Sequence, residues 1–313
     1  MANEFLKAQR IVDAANLLLQ REVVLPRLVT RFGITDFFGQ LDDTVTRRVP
    51  AVRTAKTRTM RSNTALTAED LAETKVDITL DTHVYDLLNI TDEQLTLDIR
   101  SFAAQVLAPQ IRGVVEGMEN ALAATIESAT FEADAVSGTD PFDVAVDASI
   151  ALNQQNVPRS GRVLLLGANL EGAFLKSDKL SKVNESGSSD ALRDATITRV
   201  AGFTVVGSNA VDPDFGAGFH ASAFALGVVA PQVPAGATMG AQSSSDGLAL
   251  RYLRDYNPTN STGPVDRSLV DAFVGAASVD EVIGEDDGDP IYANRRGVLV
   301  SITEPDSGGG GDI

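Results

Sequence analysis

The stretch NITDEQLTLDIRSFAAQVLAPQIRGVVEGMENALAATIES, residues 89–128, carries the strongest helical signal in the chain. Phe102, Val106, Val114, Val115, Met118, Leu122 and Ile126 recur at steps of three and four residues, or multiples of them, which places them on one helix face. Thr91 with Gln94 three residues later fits a reciprocal capping box at the start. Pro109 removes an internal hydrogen bond and crowds the preceding turn, so a kink or interruption is expected there. At 1.5 Å per residue such a helix runs roughly 40 to 50 Å, more than a small domain needs. It reads as a spine to which other elements attach.

Two extended segments precede it. Residues 44–52 alternate, with Val45, Arg47, Val49 and Ala51 on one side and Thr46, Arg48, Pro50 and Val52 on the other. In KVDITLDTHVY, residues 75–85, Val76, Ile78 and Leu80 alternate with Asp77, Thr79 and Asp81. Both read as half-buried strands, and the polar segment between them, residues 53–74, is too long for a tight hairpin turn. A two-stranded arm with a wide tip is marginal in isolation, so something else must hold it. At the N-terminus, Phe5, Ile11, Val12, Ala15, Leu18 and Leu19 predict an amphipathic helix ending before Pro26. That helix can dock on its own core or on a neighbouring subunit.

After residue 135 the pattern becomes mixed. A helix is predicted to start near Pro141, SGRVLLLGANLEGAFL reads strand, turn, helix, and ATITRVAGFTVVGSNAV reads as two short strands turning at Gly202. HASAFALGVVAP is an apolar segment of helix or strand, and GLALRYLRDYNPTNSTGPVDRSLVDAFVGAASV passes through an extended segment and a loop to another strand. A further strand is expected at RRGVLVSI, and the Gly run of EPDSGGGGDI is expected to be disordered.

Composition bounds the function classes. With 313 residues, 43% hydrophobic and 22% charged, the chain reads as globular, with two domains or one composite domain. Aromatic residues are 5% with no Trp, so the core must be built mainly from Ala, Val, Leu and Ile. No run of about 18 apolar residues predicts a membrane span, and the N-terminus lacks a basic patch followed by an apolar block, so no secretory signal is expected. The absence of Cys excludes disulfides, thiolate catalysis and Cys-ligated zinc, and fits a reducing cytoplasm.

A formal charge of −17 disfavours a general nucleic-acid binder, because affinity for phosphate comes from Lys and Arg displacing counterions. Against that balance, TRRVPAVRTAKTRTMR, residues 46–61, holds Arg47, Arg48, Arg53, Lys56, Arg58 and Arg61 and no acid, leaving −17 − 6 = −23 for the remainder. The segment contains no Phe, Tyr or Trp on which bases could stack. Six cations on an extended edge also discourage edge-to-edge aggregation and suit an acidic partner, and the nearest acidic partner is another copy of the chain. An inter-subunit contact through these six residues is the expectation.

Chemical motifs are sparse. His83, in a strand, and His220, in a loop-to-strand segment, sit in no catalytic pattern, and no G-x-S-x-G elbow occurs. In VLLLGANLEG, Gly167 and Gly172 flank a strand-to-helix turn, but a dinucleotide fingerprint needs glycine where Asn169 stands, so a plain turn exploiting the dihedral freedom of Gly167 is the simpler reading. Asp280, Glu281, Glu285, Asp286, Asp287 and Asp289 do not match a calcium loop and read as a solvated acidic loop. No catalytic, cofactor or metal residues are predicted.

The order arm, two-stranded extension, spine helix, α/β module resembles the major capsid protein of tailed bacteriophages, the shell fold shared with herpesviruses and known from the Hong Kong 97 phage. MANEFLKAQRIVDAA, VDITLDTHVYDLLNITDEQLTLDIRSFAAQVLAPQIRGVVEGME, TRVAGFTVVGSN and LRYLRDYNPTNSTGPVDRSLVDAFVGAASV look like the coat-protein branch of actinobacterial phages. The resemblance implies an α+β capsid fold with an N-arm at 1–40, an extended β-hairpin loop at 41–85, a peripheral domain with the spine helix at 86–135, an axial domain at 136–265, and a return to the peripheral domain with a flexible tail at 266–313. It implies a non-enzymatic protein, without cofactor, whose pentamers and hexamers form an icosahedral shell around double-stranded DNA. Its partners would be its own copies, a portal protein and a scaffold, with a decoration protein left open. DNA would face the inner surface without sequence-specific binding, and no membrane partner is implied. The setting would be the virion, assembled in the host bacterial cytoplasm. Some such shells are welded by a Lys–Asn isopeptide bond; Lys56 lies in the right region, but no Asn partner or catalytic acid is identifiable, so the bond is not predicted. The rival readings are a cellular nanocompartment shell and a cytoplasmic nucleotide-binding α/β enzyme built on VLLLGANLEG.

Overall fold

The structure is a computed structural model, and it describes residues 12–13, 15, 24–33, 44–49, 55–62, 65–66, 68, 74–99, 101–177, 199–258, 263–286 and 289–303. Of the N-terminal arm, Val12 and Ala15 are helical and fully buried in the main core with Leu107 and Ile111, so this part docks on its own chain. A short 3-10 turn, Leu25–Arg27, leads to β1 (Thr30–Phe32). β2 (Thr44–Val49) and β3 (Thr74–Thr79) pair antiparallel as a ribbon of two strands. The segment read as one strand over 75–85 divides here: β3 ends at Thr79, and β4 (Thr82–Thr91) belongs to a larger sheet.

The capping box forms as expected, with Thr91 N donating to Gln94 Oε1 at 3.1 Å and Gln94 N to Thr91 Oγ1 at 3.3 Å. The interruption expected at Pro109 falls earlier in the chain, at Ile99. A π-turn spans Gln94–Asp98, Ile99 is extended at φ −88° and ψ 107°, and helix resumes at Phe102. A second π-turn, Ala103–Leu107, runs directly into α1 (Ala108–Glu127), with Pro109 in its first turn. Proline is tolerated at a helix start, and the wider π-turn before it gives the ring room where an α-turn would set it against the Gln105 carbonyl. The predicted stripe is correct: Val106, Val114, Val115, Met118, Leu122 and Ile126 are buried, and Phe102 packs against the core.

The rest of the chain supplies β5 (Val136–Gly138), α2 (Pro141–Gln154), β6 (Arg162–Leu166), α3 (Ala168–Lys176), β7 (Arg199–Val200), β8 (Phe203–Gly207), β9 (Gly216–His220), β10 (Phe224–Val229), β11 (Met239–Ser245), β12 (Leu248–Asn257), β13 (Val265–Ser278), β14 (Glu281–Asp286), β15 (Asp289–Ala293) and β16 (Gly297–Ile302). The strand–turn–helix, the turn at Gly202 and the strand at RRGVLVSI stand as read, and HASAFALGVVAP resolves to a 3-10 turn, Ala221–Ala223, followed by strand. The acidic segment is not a loop: β14 and β15 make an antiparallel hairpin. The Gly-rich tail lies outside the described residues.

Among the described residues the strands form two six-stranded sheets and two ribbons. In the first sheet β13 is the seam, with β4 along one edge and β12 and β10 along the other. Its inner face, with Val270, Ala272 and Val274, shares a core with α1. One polar joint crosses this core: Gln110 Nε2 donates to the carbonyls of Ser268 at 3.0 Å and Asp86 at 3.3 Å, while Ser268 Oγ donates to Gln110 Oε1 at 2.7 Å. Satisfying both ends of a buried amide fixes the register of helix on sheet. The second sheet runs β5-β16-β9-β6-β8-β7. All five residues of β6 are buried, because alternate side chains enter different cores: Val163 and Leu165 the main one, Leu164 and Leu166 a second one shared with Val144, Ala148 and Leu152 of α2 and Phe174 of α3. Arg162 ties this layer together, donating to the carbonyls of Pro158 at 2.9 Å and Val157 at 2.6 Å and to Asn153 Oδ1 at 2.9 Å. Its charge thus sits at the C-terminal end of α2, where the helix dipole favours a cation.

Candidate functional site

The basic segment begins on the β2–β3 ribbon. The register sets Val45 against Ile78, and these two with Val76 are buried, packing with Phe32 of β1 and Ala225 of β10. On the other face Thr46 Oγ1 donates to Asp77 Oδ1 at 2.6 Å, and Lys75 Nζ lies 3.0 Å from Asp77 Oδ2. The Thr46 hydrogen bond, then Lys75, hold the Asp77 carboxyl below its ordinary value. Arg48 faces Lys75 across the ribbon, a like-charged pair that is unfavourable at this spacing.

The six cations are therefore not one patch. Arg48 stands on the paired ribbon, lining a cavity of about 380 Å³ with Arg31, Phe32, Val76, Ile78 and Arg296. Arg31 pairs with Asp246 at 2.8 Å and Arg296 with Glu281 at 2.7 Å. Lys56, Arg58 and Arg61 are exposed together on the limb beyond the ribbon, where Arg61 adopts a φ of 62° in a turn closed by Ser62 N donating to the Thr59 carbonyl at 3.2 Å. Arg47 pairs through its backbone with Val76; its side chain and all of Arg53 lie outside the described residues.

The competing nucleotide site fails on geometry. A helix N-terminus binds phosphate through free backbone N–H groups. Here Gly167 N donates to the Phe215 carbonyl at 2.8 Å and Asn169 N to the Pro213 carbonyl at 2.9 Å, while Asn169 Nδ2 donates to Asp214 Oδ1 at 2.8 Å. The loop at 212–215 occupies the place a phosphate would take. Gly167 has an ordinary φ of −72°, so the expectation that it supplies dihedral freedom is corrected: glycine is needed because a Cβ would collide with the carbonyls of Asp212 and Pro213.

Both histidines are structural. His83 Nε2 lies 2.9 Å from Oδ2 of Asp271, a fully buried carboxylate that also accepts from Arg251 Nε at 2.9 Å. His220 Nδ1 lies 2.8 Å from Ser222 Oγ, and burial, more than the nearby Arg296 and Arg162, pushes the imidazole below its ordinary value. Among the described residues no group of three or more His, Cys, Asp or Glu is placed to hold a metal, and no helix is long and apolar enough to cross a membrane.

Two surfaces escaped the sequence reading. The outer face of the first sheet exposes Tyr85, Leu87 and Phe273 beside a groove of about 360 Å³ lined by Leu87, Pro234, Leu253 and Leu269. The β14–β15 hairpin exposes Val282, Ile283, Ile291 and Tyr292 next to its acids. Both faces of THVYDLLNI carry apolar residues, and the pairing with β13 shows which one α1 covers.

Neither the scan against protein-family models nor the search of curated proteins finds a match. Solved structures do match. A chain of Mycobacterium phage Che8 is 19% identical with a TM-score of 0.57, covering 89% of this chain and 91% of that one. The capsid structure of the cyanophage P-SCSP1u is 11% identical with a TM-score of 0.61, covering 90% and 89%. The asymmetric unit of the bacteriophage PhiM1 mature capsid is 13% identical with a TM-score of 0.57, covering 90% and 87%. At such identities the likeness is one of fold, and it extends over nearly the whole of each chain. The chain has the α+β fold of tailed-phage capsids, the one known from the Hong Kong 97 phage.

Proposed function

We propose that this chain is the major capsid protein of a tailed bacteriophage, self-assembling into pentamers and hexamers that close an icosahedral shell around double-stranded DNA. The observation that carries the reading is the fold match to phage capsid structures over about nine-tenths of each chain. It is a structural role without catalysis, which suits a chain whose histidines are tied into side-chain bonds and whose helix N-terminus at Gly167 is blocked. Shells tolerate weak individual contacts, because closure multiplies them and reversibility lets errors anneal. The acidic bulk keeps unassembled subunits off nucleic acid. Portal protein and scaffold are the further partners of this reading, and the virion, assembled in the bacterial cytoplasm, is its setting.

Within that reading the basic segment, with Arg47, Arg48, Arg53, Lys56, Arg58 and Arg61, lies over an adjacent subunit. Single surface pairs are weak, so the fair variant carries Arg53→Glu, Arg58→Glu and Arg61→Glu together. It should fold as a subunit and fail to form shells; normal shells would remove the limb from the interface. Negative-stain microscopy with nuclease treatment tests the function itself. Closed particles holding nuclease-protected DNA are expected, whereas particles filled with protein cargo would make the chain a nanocompartment shell.

A further inference from the structure

The structure assigns the limb a receiving surface: the acidic β14–β15 hairpin of a second copy. This rests on the shell reading above and names the partner surface within it. Residues 280–289 hold six acids and no cation, and residues 47–61 hold six cations and no acid, so the two segments are equal and opposite. Asp280 Oδ1 accepts from Ser278 Oγ at 2.6 Å, and Glu281 pairs with Arg296. Among the described residues the register sets Asp286 directly opposite Asp289, with Glu285 opposite Pro290. Acidic residues at directly opposed positions of a ribbon are unfavourable, as Arg48 and Lys75 are with the opposite sign on the other ribbon. Cations laid across the first pair relieve its repulsion.

The hairpin also offers apolar cover. Val282, Ile291 and Tyr292 are exposed on strands that, among the described residues, pair only with each other. Lys and Arg rest their methylene stems on such a surface while keeping their charges in a polar setting, and an Arg guanidinium stacks on a Tyr ring. A nucleic acid is repelled by this hairpin, whereas a second copy presents its complement by construction. The contact is heterologous, limb on one side and hairpin on the other, which is the kind that closes rings of identical subunits.

The test uses the full chain in three forms. One carries Glu285→Lys, Asp286→Lys and Asp289→Lys, one carries Lys56→Glu, Arg58→Glu and Arg61→Glu, and one carries all six. Each single-sided reversal should cut the yield of closed particles about tenfold or more, and the six-fold variant should recover to within about twofold of the parent. The milder set Glu285→Gln, Asp286→Asn and Asp289→Asn keeps side-chain size while removing charge, and it should weaken assembly in the same direction, which guards against a hairpin that merely misfolds. If limb reversal blocks assembly while hairpin reversal does not, or if the six-fold variant stays defective, the hairpin assignment is overturned and the shell reading stands. If the parent itself forms no shells, the reading beneath it fails. Because the chain contains no cysteine, copies carrying Arg58→Cys can be co-assembled with copies carrying Asp289→Cys. A disulfide-linked dimer is expected from the mixture; linkage only when both substitutions share one chain would place the contact within a subunit and overturn the proposal.

Discussion

The two six-stranded sheets and the two ribbons share one β geometry and differ in what holds them. In the sheets, β6 and β13 are buried among neighbours on both edges, and their side chains fill cores that α1, α2 and α3 complete. The ribbons have two strands each; the β2–β3 ribbon holds Val45, Val76 and Ile78 against the body, and the β14–β15 hairpin leaves Val282, Ile291 and Tyr292 in the open. Such ribbons are marginal alone. On the proposed reading, a second copy completes the packing of the ribbons.

Substitutions can break that contrast. The largest effect belongs to the body: Leu164→Ala opens a cavity where β6 meets α2, at a cost of about 3 to 5 kcal/mol in denaturant unfolding. A loss under about 1 kcal/mol would mean that β6 is not a core strand. Next comes Asp271→Ala, which strands the Arg251 guanidinium in the first sheet and should cost about 3 kcal/mol by the same measurement. Gly275→Ala tests the joint between the two regions, since a Cβ there would strike the Thr79 carbonyl at the ribbon root. Unfolding should lose about 1 to 3 kcal/mol, with proteolysis between β2 and β3 accelerating before the body opens.

The smallest effect lies on the ribbon surface. Asp77 titrates below its ordinary value because Thr46 and Lys75 favour its charged form. Its contribution is therefore present above the unfolded-state value and fades as pH falls through the lower folded value, below about pH 4. An NMR titration should show Asp77 among the low-titrating aspartates, and Thr46→Val should move it upward while leaving global unfolding within about 0.5 kcal/mol of the parent.

The same contrast governs what could be read from the sequence. The spine stripe, the capping box, β6 with α3, and the burial of Val45, Val76 and Ile78 were legible because each follows from local periodicity or end chemistry. The break at Ile99 and the π-turn before Pro109 were not, because the proline announces a perturbation without saying how the backbone absorbs it. Gly167 was legible as a necessary glycine, but its reason depends on a loop some 45 residues away, as the Asn169–Asp214 bond shows. The acidic segment misled because charge density argued for a loop, whereas Val282, Ile283, Ile291 and Tyr292 are apolar enough to pair as strands around it. Ion pairs such as Arg31 with Asp246 span more than two hundred residues and leave no local signal. Of the basic segment, the sequence showed the charge but not that Arg48 and the trio Lys56, Arg58 and Arg61 occupy separate places.

The central claim, a self-closing shell, is tested most directly by the mass of the purified full-length chain under assembly conditions, measured by light scattering on a sizing column. The account predicts megadalton particles of uniform size. A species of only a few subunits, unchanged as concentration and salt are varied, would contradict it.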